Sequence, residues 1–298
     1  MKFLLYGGKG WIGSQIYDLL NKLGHEVIIG TSRIDNYDDT LNEITNINPH
    51  RVICTTGRTS GGKFNNIDYL EDLNVLPINL RDNLVGPINL ARITNYYGIH
   101  MVYLGTGCIY HYDDVHQMPN KLDLLSVNGF KGFTENDLPN FTGSQYSSVK
   151  GVTDQLIRQY NNVLNARIRM PISSDLHPRN YISKILSYKN IIDIPNSMTI
   201  LDDMLPILID MSINKTIGSI NLVNPGVISP VDILKLIKNN SNSNELNFNI
   251  IPLDKLPTIG KRSNNYLDTT LLEKMYPNIK PINESIINVT NLINLHFN

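Results

Sequence analysis

Tyr146 and Lys150 stand four residues apart in Tyr146-Ser147-Ser148-Val149-Lys150, a spacing that puts a phenol and an ammonium on one face of a helix. Hydride delivery to a carbonyl carbon builds negative charge on the oxygen, which a phenol can quench as general acid if a nearby cation lowers its pKa. Lys150 would supply that cation and hold the ribose hydroxyls of a nicotinamide. Thr106, in Leu104-Gly105-Thr106-Gly107-Cys108, follows an apolar run and could donate a second hydrogen bond to the same oxygen. Taken alone, a tyrosine and a lysine at this spacing are common, and a solvated helix face explains them. A glycine turn elsewhere in the chain reverses that preference.

Gly7-Gly8-Lys9-Gly10-Trp11-Ile12-Gly13 follows a strand-like Phe3 to Tyr6 and opens a helix, the context in which a G-x-x-G-x-x-G spacing carries information. Gly7 can make the tight turn, Gly10 lets backbone N–H groups approach phosphate, Gly13 permits close packing, and the helix N-terminus adds partial positive charge. A turn that merely joins strand to helix would need none of this. Trp11 and Ile12 fall within the same site. After the second strand, Gly30-Thr31-Ser32-Arg33 lacks the Asp or Glu that usually binds the NAD ribose. Arg33 could instead pair with a 2′-phosphate, with Thr31 and Ser32 as hydroxyl donors, which favours NADPH. Asp35 keeps NADH possible. Thr55, Thr56 and Gly57 after the third strand, Asn83, and Met170 and Pro171 are also assigned to the cofactor site.

These residues need elements to carry them. Phe3 to Tyr6, Val27 to Ile29, Val52 to Thr55 and Met101 to Leu104 alternate with helical patterns over Trp11 to Leu23, Asp38 to Ile47 and Val75 to Tyr97, which predicts βαβ units and a parallel sheet. A helix from Ser144 to about Tyr160 and a strand from Leu164 to Arg169 complete a doubly wound α/β domain of the Rossmann type over residues 1–168. From 169 to 298, prolines break shorter elements into a smaller substrate lobe, with some segments returning to the first domain. The 298 residues, 41% hydrophobic, suit an enzyme-sized globular protein, and a formal charge of −1 without like-charge blocks argues against nucleic acid or an anionic membrane as partner. Two cysteines without CxxC spacing fit a reducing compartment and imply no metal site. With no signal-peptide pattern and no membrane-length apolar run, the expectation is a cytoplasmic protein.

Together these motifs resemble the extended short-chain dehydrogenase/reductases. Four segments are more closely similar to the bifunctional nucleotide-rhamnose synthase/epimerase-reductases: Gly105-Thr106-Gly107-Cys108-Ile109-Tyr110, Pro139-Asn140-Phe141-Thr142-Gly143-Ser144, Arg169-Met170-Pro171-Ile172-Ser173-Ser174-Asp175-Leu176 and Asp193-Ile194-Pro195-Asn196-Ser197-Met198-Thr199-Ile200. The resemblance implies conversion of UDP-4-keto-6-deoxyglucose to UDP-rhamnose by epimerisation at C3 and C5 and NADPH reduction at C4, in a homodimer. Two departures border the expected sugar site: Asp175 to Asn180 is one residue shorter than the family's form, and Arg58 to Asn66 is longer.

A C4 ketone acidifies the C3 and C5 protons, but inversion still requires one group to remove a proton and another to return it on the opposite face. Cys108, two residues beyond Thr106, can exchange a proton as thiol or thiolate. A small buried hydrophobe is the bland alternative and is the reading for Cys54. Lys184 matches the family's position for the opposing group, although it would need burial or nearby positive charge to tune it; His177 competes with it. Arg262 and Asn180 are candidates for the diphosphate, and Asn140 and Ser144 for the sugar. Reduction alone and a non-catalytic dinucleotide-binding regulator are the competing readings. A 4,6-dehydratase is disfavoured because no Asp-Glu pair adjoins Thr106.

Overall fold

In the computed structural model, which describes residues 1–119, 129–240 and 247–294, five βα repeats build a parallel sheet. The strands are β1 Lys2–Tyr6, β2 Glu26–Ile29, β3 Arg51–Cys54, β4 His100–Thr106 and β5 Val163–Ile168. Between and after them run α1 Trp11–Lys22, α2 Tyr37–Ile47, α3 Leu76–Leu80, α4 Gly86–Tyr96 and α5 Gln145–Ile157. The later half adds α6 Tyr181–Ser187, β6 Asn190–Ile191, α7 Leu201–Ile213, β7 Gly218–Asn221, α8 Pro230–Asn240, β8 Asn249–Ile250, α9 Thr270–Met275 and α10 Ile282–Asn294. The six-stranded sheet has the order β2-β1-β3-β4-β5-β7, all parallel. Strand order reverses between β1 and β3, and ligands of such sheets bind in the crevice beyond the carboxyl ends of the strands at that point.

Each face of the sheet is sealed by apolar residues. Ile16 and Leu20 of α1 and Leu201, Leu205 and Leu208 of α7 cover one face, while Ile44, Leu90 and Ile157 from α2, α4 and α5 cover the other. Arg51–Cys54 and Val163–Ile168 are buried along their whole length, as strands covered on both faces are, and Val163–Ile168 takes Asn165 and Arg167 into the interior with its apolar residues. Leu201–Ile213 and Gly218–Asn221 lie beyond residue 168 in the chain yet build the sheet domain. The smaller lobe keeps a separate core, in which Ile182, Ile185, Ile191, Leu234, Ile237 and Ile286 pack together.

Local chemistry sets the element ends. Gly24 and Gly98 take φ of +76° and +64° just after α1 and α4, as C-terminal glycines should. Ser144 caps α5, its Oγ accepting from Ser147 N at 3.1 Å; the helix stops at Ile157, three residues short of the expected end. Between α3 and α4 the helix widens into a π-turn over Arg81–Val85, which contains the buried Asn83.

Candidate active site

The glycine turn fits a dinucleotide. Gly7 has φ +85°, and a Cβ there would fall 2.4 Å from Thr55 Oγ1; one on Gly13 would fall 2.1 Å from the Gly7 carbonyl oxygen. Gly10 caps α1 with no side-chain hydrogen bond, and the first turn contains no acidic residue, so its free N–H groups and dipole remain available to an anion. Trp11 closes the turn from the side, its Nε1 donating to Asp175 at 3.1 Å while its ring stacks on His177 with centroids 5.4 Å apart. His177 Nδ1 also accepts from Arg179 N at 3.1 Å.

At the adenosine end the geometry departs from the sequence expectation. Thr31 and Ser32 donate both hydroxyls and both backbone N–H groups to the Glu43 carboxylate, at 2.6–3.2 Å, and Tyr6 adds a fifth hydrogen bond at 2.8 Å. Those hydroxyl protons are committed, so Thr31 and Ser32 are not the free donors the sequence suggested. The donors also outweigh partial burial and hold Glu43 down at about 2. Arg33 is exposed and pairs with Asp35 at 2.9 Å and Asp82 at 3.2 Å. Arg58 and Arg81 share the same Asp82, at 2.9 and 2.8 Å. Asn83 supports this cluster from beneath, accepting from Arg58 N and donating to Arg58 O, each at 2.9 Å. Thr55 and Thr56 are tied locally, to Tyr6 O at 3.1 Å and to the Cys54 sulfur at 3.1 Å.

Beyond β4, the side chains for carbonyl chemistry converge. The Thr106 side chain accepts from Cys108 N at 3.1 Å and lies near enough to the Tyr146 phenol to favour its ionised form. Tyr146 and Lys150 are both buried, as successive turns of one helix face require. Lys150 Nζ donates to the hydroxyl of Tyr103 and lies 4.5 Å from the centre of its ring. Contrary to the expectation that a cation lowers it, the Tyr146 phenol is raised by burial, with Thr106 acting in the opposite direction. Lys150 faces Tyr103 and is itself pushed down to about 8 by burial. Met170, which follows β5, takes φ +41°, a strained value for a residue with a side chain.

The proton-exchange candidates approach from both lobes. Cys108 is half-buried, whereas Cys54 is sealed in the core. Lys184, on α6, is lowered by burial and by the positive charges of Arg179 and Arg262, with Cys108 acting in the opposite direction. Both tuning influences that a lysine acid or base needs are therefore present. Asn180 is fully buried as the cap of α6: its Oδ1 accepts from Ile182 N at 3.1 Å, and its amide donates to Ser173 O and Asp175 O. Both amide protons are spent, which leaves it no donor for a diphosphate. Ser144 is likewise occupied as a cap, and Arg262 is paired with Asp68 at 2.9 Å. Asn140 brackets His111, accepting from its N–H and donating to its carbonyl at 2.8 and 2.9 Å. A cavity of about 880 Å³ opens between Asn140, Phe141, Leu253, Lys261 and Arg262.

Three residues of this site escaped the sequence reading. Glu43 and Tyr103 gave no signal, because their partners arrive from distant segments. Arg169 did leave one: Arg167 and Arg169 are polar residues two apart at the end of a strand buried along its whole length.

Residues 3–170 match the family model described as the NAD dependent epimerase/dehydratase family. Protein L780 of Acanthamoeba polyphaga mimivirus is 46% identical over 95% of each chain. The crystal structure of that protein, described as a UDP-rhamnose synthase, superposes with a TM-score of 0.91 over 98% of this chain and 99% of that one. An Arabidopsis thaliana bifunctional dTDP-4-dehydrorhamnose 3,5-epimerase/dTDP-4-dehydrorhamnose reductase is 38% identical over 96% of this chain and 91% of its own. A dTDP-4-dehydrorhamnose reductase from Bacillus anthracis, solved with NADP, shares the fold at 16% identity, with a TM-score of 0.77 over 97% of this chain and 98% of that chain. By its family match, its relatives and its glycine-turn fold, the chain belongs to the NAD dependent epimerase/dehydratase family.

Proposed function

We propose that this chain is a bifunctional 3,5-epimerase/4-reductase that converts UDP-4-keto-6-deoxyglucose to UDP-rhamnose with NADPH. The observation that carries the reading is the convergence of two sets of groups on one crevice. Tyr146, Thr106 and Lys150 suit ketone reduction, and Cys108 with Lys184 suits proton exchange beside the ketone. The names of the similar mimivirus and plant proteins support the same pairing of activities.

The glycine turn and the α1 N-terminus would hold the cofactor pyrophosphate, and Arg33 of the arginine cluster would meet a 2′-phosphate. When bound, NADPH supplies the hydride for C4. Thr106 and Tyr146 hydrogen-bond the C4 oxygen, first as it gains enolate character during epimerisation and then as it becomes an alkoxide, which Tyr146 protonates. The 880 Å³ cavity, with Lys261 and Arg262 on its wall, suits the nucleotide end of the substrate. Exposed apolar side chains around α4 and α5, namely Leu80, Val85, Tyr96, Val152 and Leu156, suit a second copy of the chain and support a homodimer, which sedimentation at graded concentration measures. No helix among the described residues is long and apolar enough to cross a membrane, and we place the enzyme in the cytoplasm with its soluble sugar-nucleotide substrate.

The test is incubation with UDP-4-keto-6-deoxyglucose and NADPH or NADH in deuterated water, read by NMR of the product. UDP-rhamnose carrying deuterium at C3 and C5 is expected. Product reduced without solvent deuterium would reduce the enzyme to a ketoreductase, and no oxidation of either cofactor would leave a dinucleotide-binding regulator. Cys108→Ala and Lys184→Ala should lose deuterium incorporation while binding NADPH normally; normal exchange in both would remove these residues from the assignment. Arg33→Ala should weaken NADPH about tenfold, a typical loss for a charge-assisted contact, and leave NADH unchanged.

A further inference from the structure

Arg169 is 1% exposed, yet no described carboxylate forms an ion pair with it. Its Nη1 donates to the Cys108 sulfur at 3.3 Å and to Ser263 Oγ at 3.0 Å, and its Nη2 donates to Ser263 O at 2.7 Å and to Asn196 Oδ1. Its Nε has no hydrogen-bond partner among the described residues. The Ser263 hydroxyl proton is spent on Tyr110 O at 2.8 Å, so the hydroxyl meets Arg169 only as a neutral acceptor. Two residues earlier on the same strand, Arg167 is 0% exposed and is met by both oxygens of Asp154, at 2.8 and 2.9 Å. A buried guanidinium without an anion is costly, and the fold neutralises one of this pair while leaving the other bare.

We propose that Arg169 is a positioning residue for epimerisation, the fixed cationic partner of the Cys108 sulfur. The inference rests on the bifunctional reading above. In each exchange the Cys108 thiolate takes a proton from the carbon next to the C4 ketone and becomes a thiol. The electron pair of the broken C–H bond moves into an enolate centred on the C4 oxygen. A protonated Lys184 then returns a proton to the opposite face, and both groups re-equilibrate with water, so solvent deuterium enters as configuration inverts. Arg169 favours the charged form of the sulfur by proximity and keeps it aimed, because its own backbone is clamped: its N–H donates to Thr199 Oγ1 at 2.9 Å, and its carbonyl accepts from Thr199 N at 2.8 Å. The titratable groups that interact electrostatically with the sulfur are Tyr146 and Lys150 of α5 and Tyr181 and Lys184 of α6, and His111 and Tyr112 interact likewise with the guanidinium.

The test uses the whole enzyme with two substrates: UDP-4-keto-6-deoxyglucose, followed by deuterium uptake, and UDP-4-keto-rhamnose, which needs only reduction. A nearby guanidinium shifts an acid by about one to three pH units. Arg169→Gln should therefore lose about tenfold or more of the exchange rate at pH 7 and regain it as the pH rises past 9 or so. Reduction of UDP-4-keto-rhamnose should stay within about twofold of wild type. Arg169→Lys, which keeps a cation in the cavity, should retain more exchange than Arg169→Gln at pH 7. Exchange lost at every pH alike would make Arg169 a strut between the lobes and overturn the proposal. An equal rise in KM for both substrates would make it a substrate ligand and overturn the proposal too. Should Arg169→Gln fail to fold, Arg169→Lys decides: a profile within about one pH unit of wild type supports the charge role, and uniform loss overturns it. Normal exchange in Arg169→Gln where Cys108→Ala has none rejects Arg169 alone, whereas normal exchange in Cys108→Ala rejects the underlying assignment.

Discussion

Lys150 and Lys184 are both driven below the ordinary ammonium range, but by different surroundings. Lys150 is carried on α5 with its ammonium on the Tyr103 hydroxyl; burial lowers it to about 8 while Cys54, Asp154 and Cys108 oppose the shift. Lys184 enters from the smaller lobe, where Arg179 and Arg262 add to burial and Cys108 alone opposes them. Burial leads in both, but the charges that act beside it differ: potential anions around Lys150, two guanidinium groups around Lys184. The wall that serves the hydride step and the wall that serves the proton step thus differ in the sign of the charges beside their lysines.

Removing the acid that serves reduction separates the two walls most. Tyr146→Phe should lower NADPH oxidation by about 10²–10⁴-fold, the usual worth of a positioned general acid, while deuterium still enters the substrate from solvent, slowed only by the loss of one of the two hydrogen bonds to the enolate oxygen. Exchange and reduction falling together by the same factor would merge the two walls into one machine.

Burying Lys150 should also cost stability in a pH-dependent way. Its folded value near 8 lies below the ordinary 10.5, so between those limits the unfolded chain binds more protons and stability rises with pH. Below about 8 both states hold the proton and the penalty is complete. Lys150→Met should thus stabilise the inactive enzyme by on the order of 2 kcal/mol at pH 7, a gain that fades as the pH approaches 10.5. Denaturant melts across pH 7–10.5 measure it, and a gain independent of pH would mean that packing, not charge, sets the cost.

The two walls also differ in how far the sequence revealed them. The cofactor end was legible because its chemistry is local: the turn from Gly7 to Gly13 needs its glycines for steric reasons within the turn itself, and Tyr146 and Lys150 share a face by helical spacing alone. Glu43 could not be found that way, since its five donors arrive from β1 and from the loop after β2. Arg169 was half-legible. Two arginines closing an apolar strand announce buried charge, but which one is neutralised depends on Asp154, which reaches Arg167 from α5 and leaves Arg169 bare. Long-range pairing also turned Arg262 toward Asp68.

Asn180 gives the finest test of how Lys184 is placed. Its side chain caps α6 and ties the cap to Ser173 O and Asp175 O, while its carbonyl accepts from Lys184 N at 3.1 Å. Asn180→Ala removes the side-chain bonds, keeps the backbone one, and should cost about 1–2 kcal/mol of stability. If Asn180 acts only by fixing the helix that carries Lys184, exchange should slow severalfold while the KM for the sugar nucleotide and the rate of reducing UDP-4-keto-rhamnose hold steady. A rise in KM with exchange unchanged would instead give Asn180 a place at the diphosphate. The two outcomes differ because a cap acts through the position of α6, whereas a ligand acts on the substrate in both of its reactions.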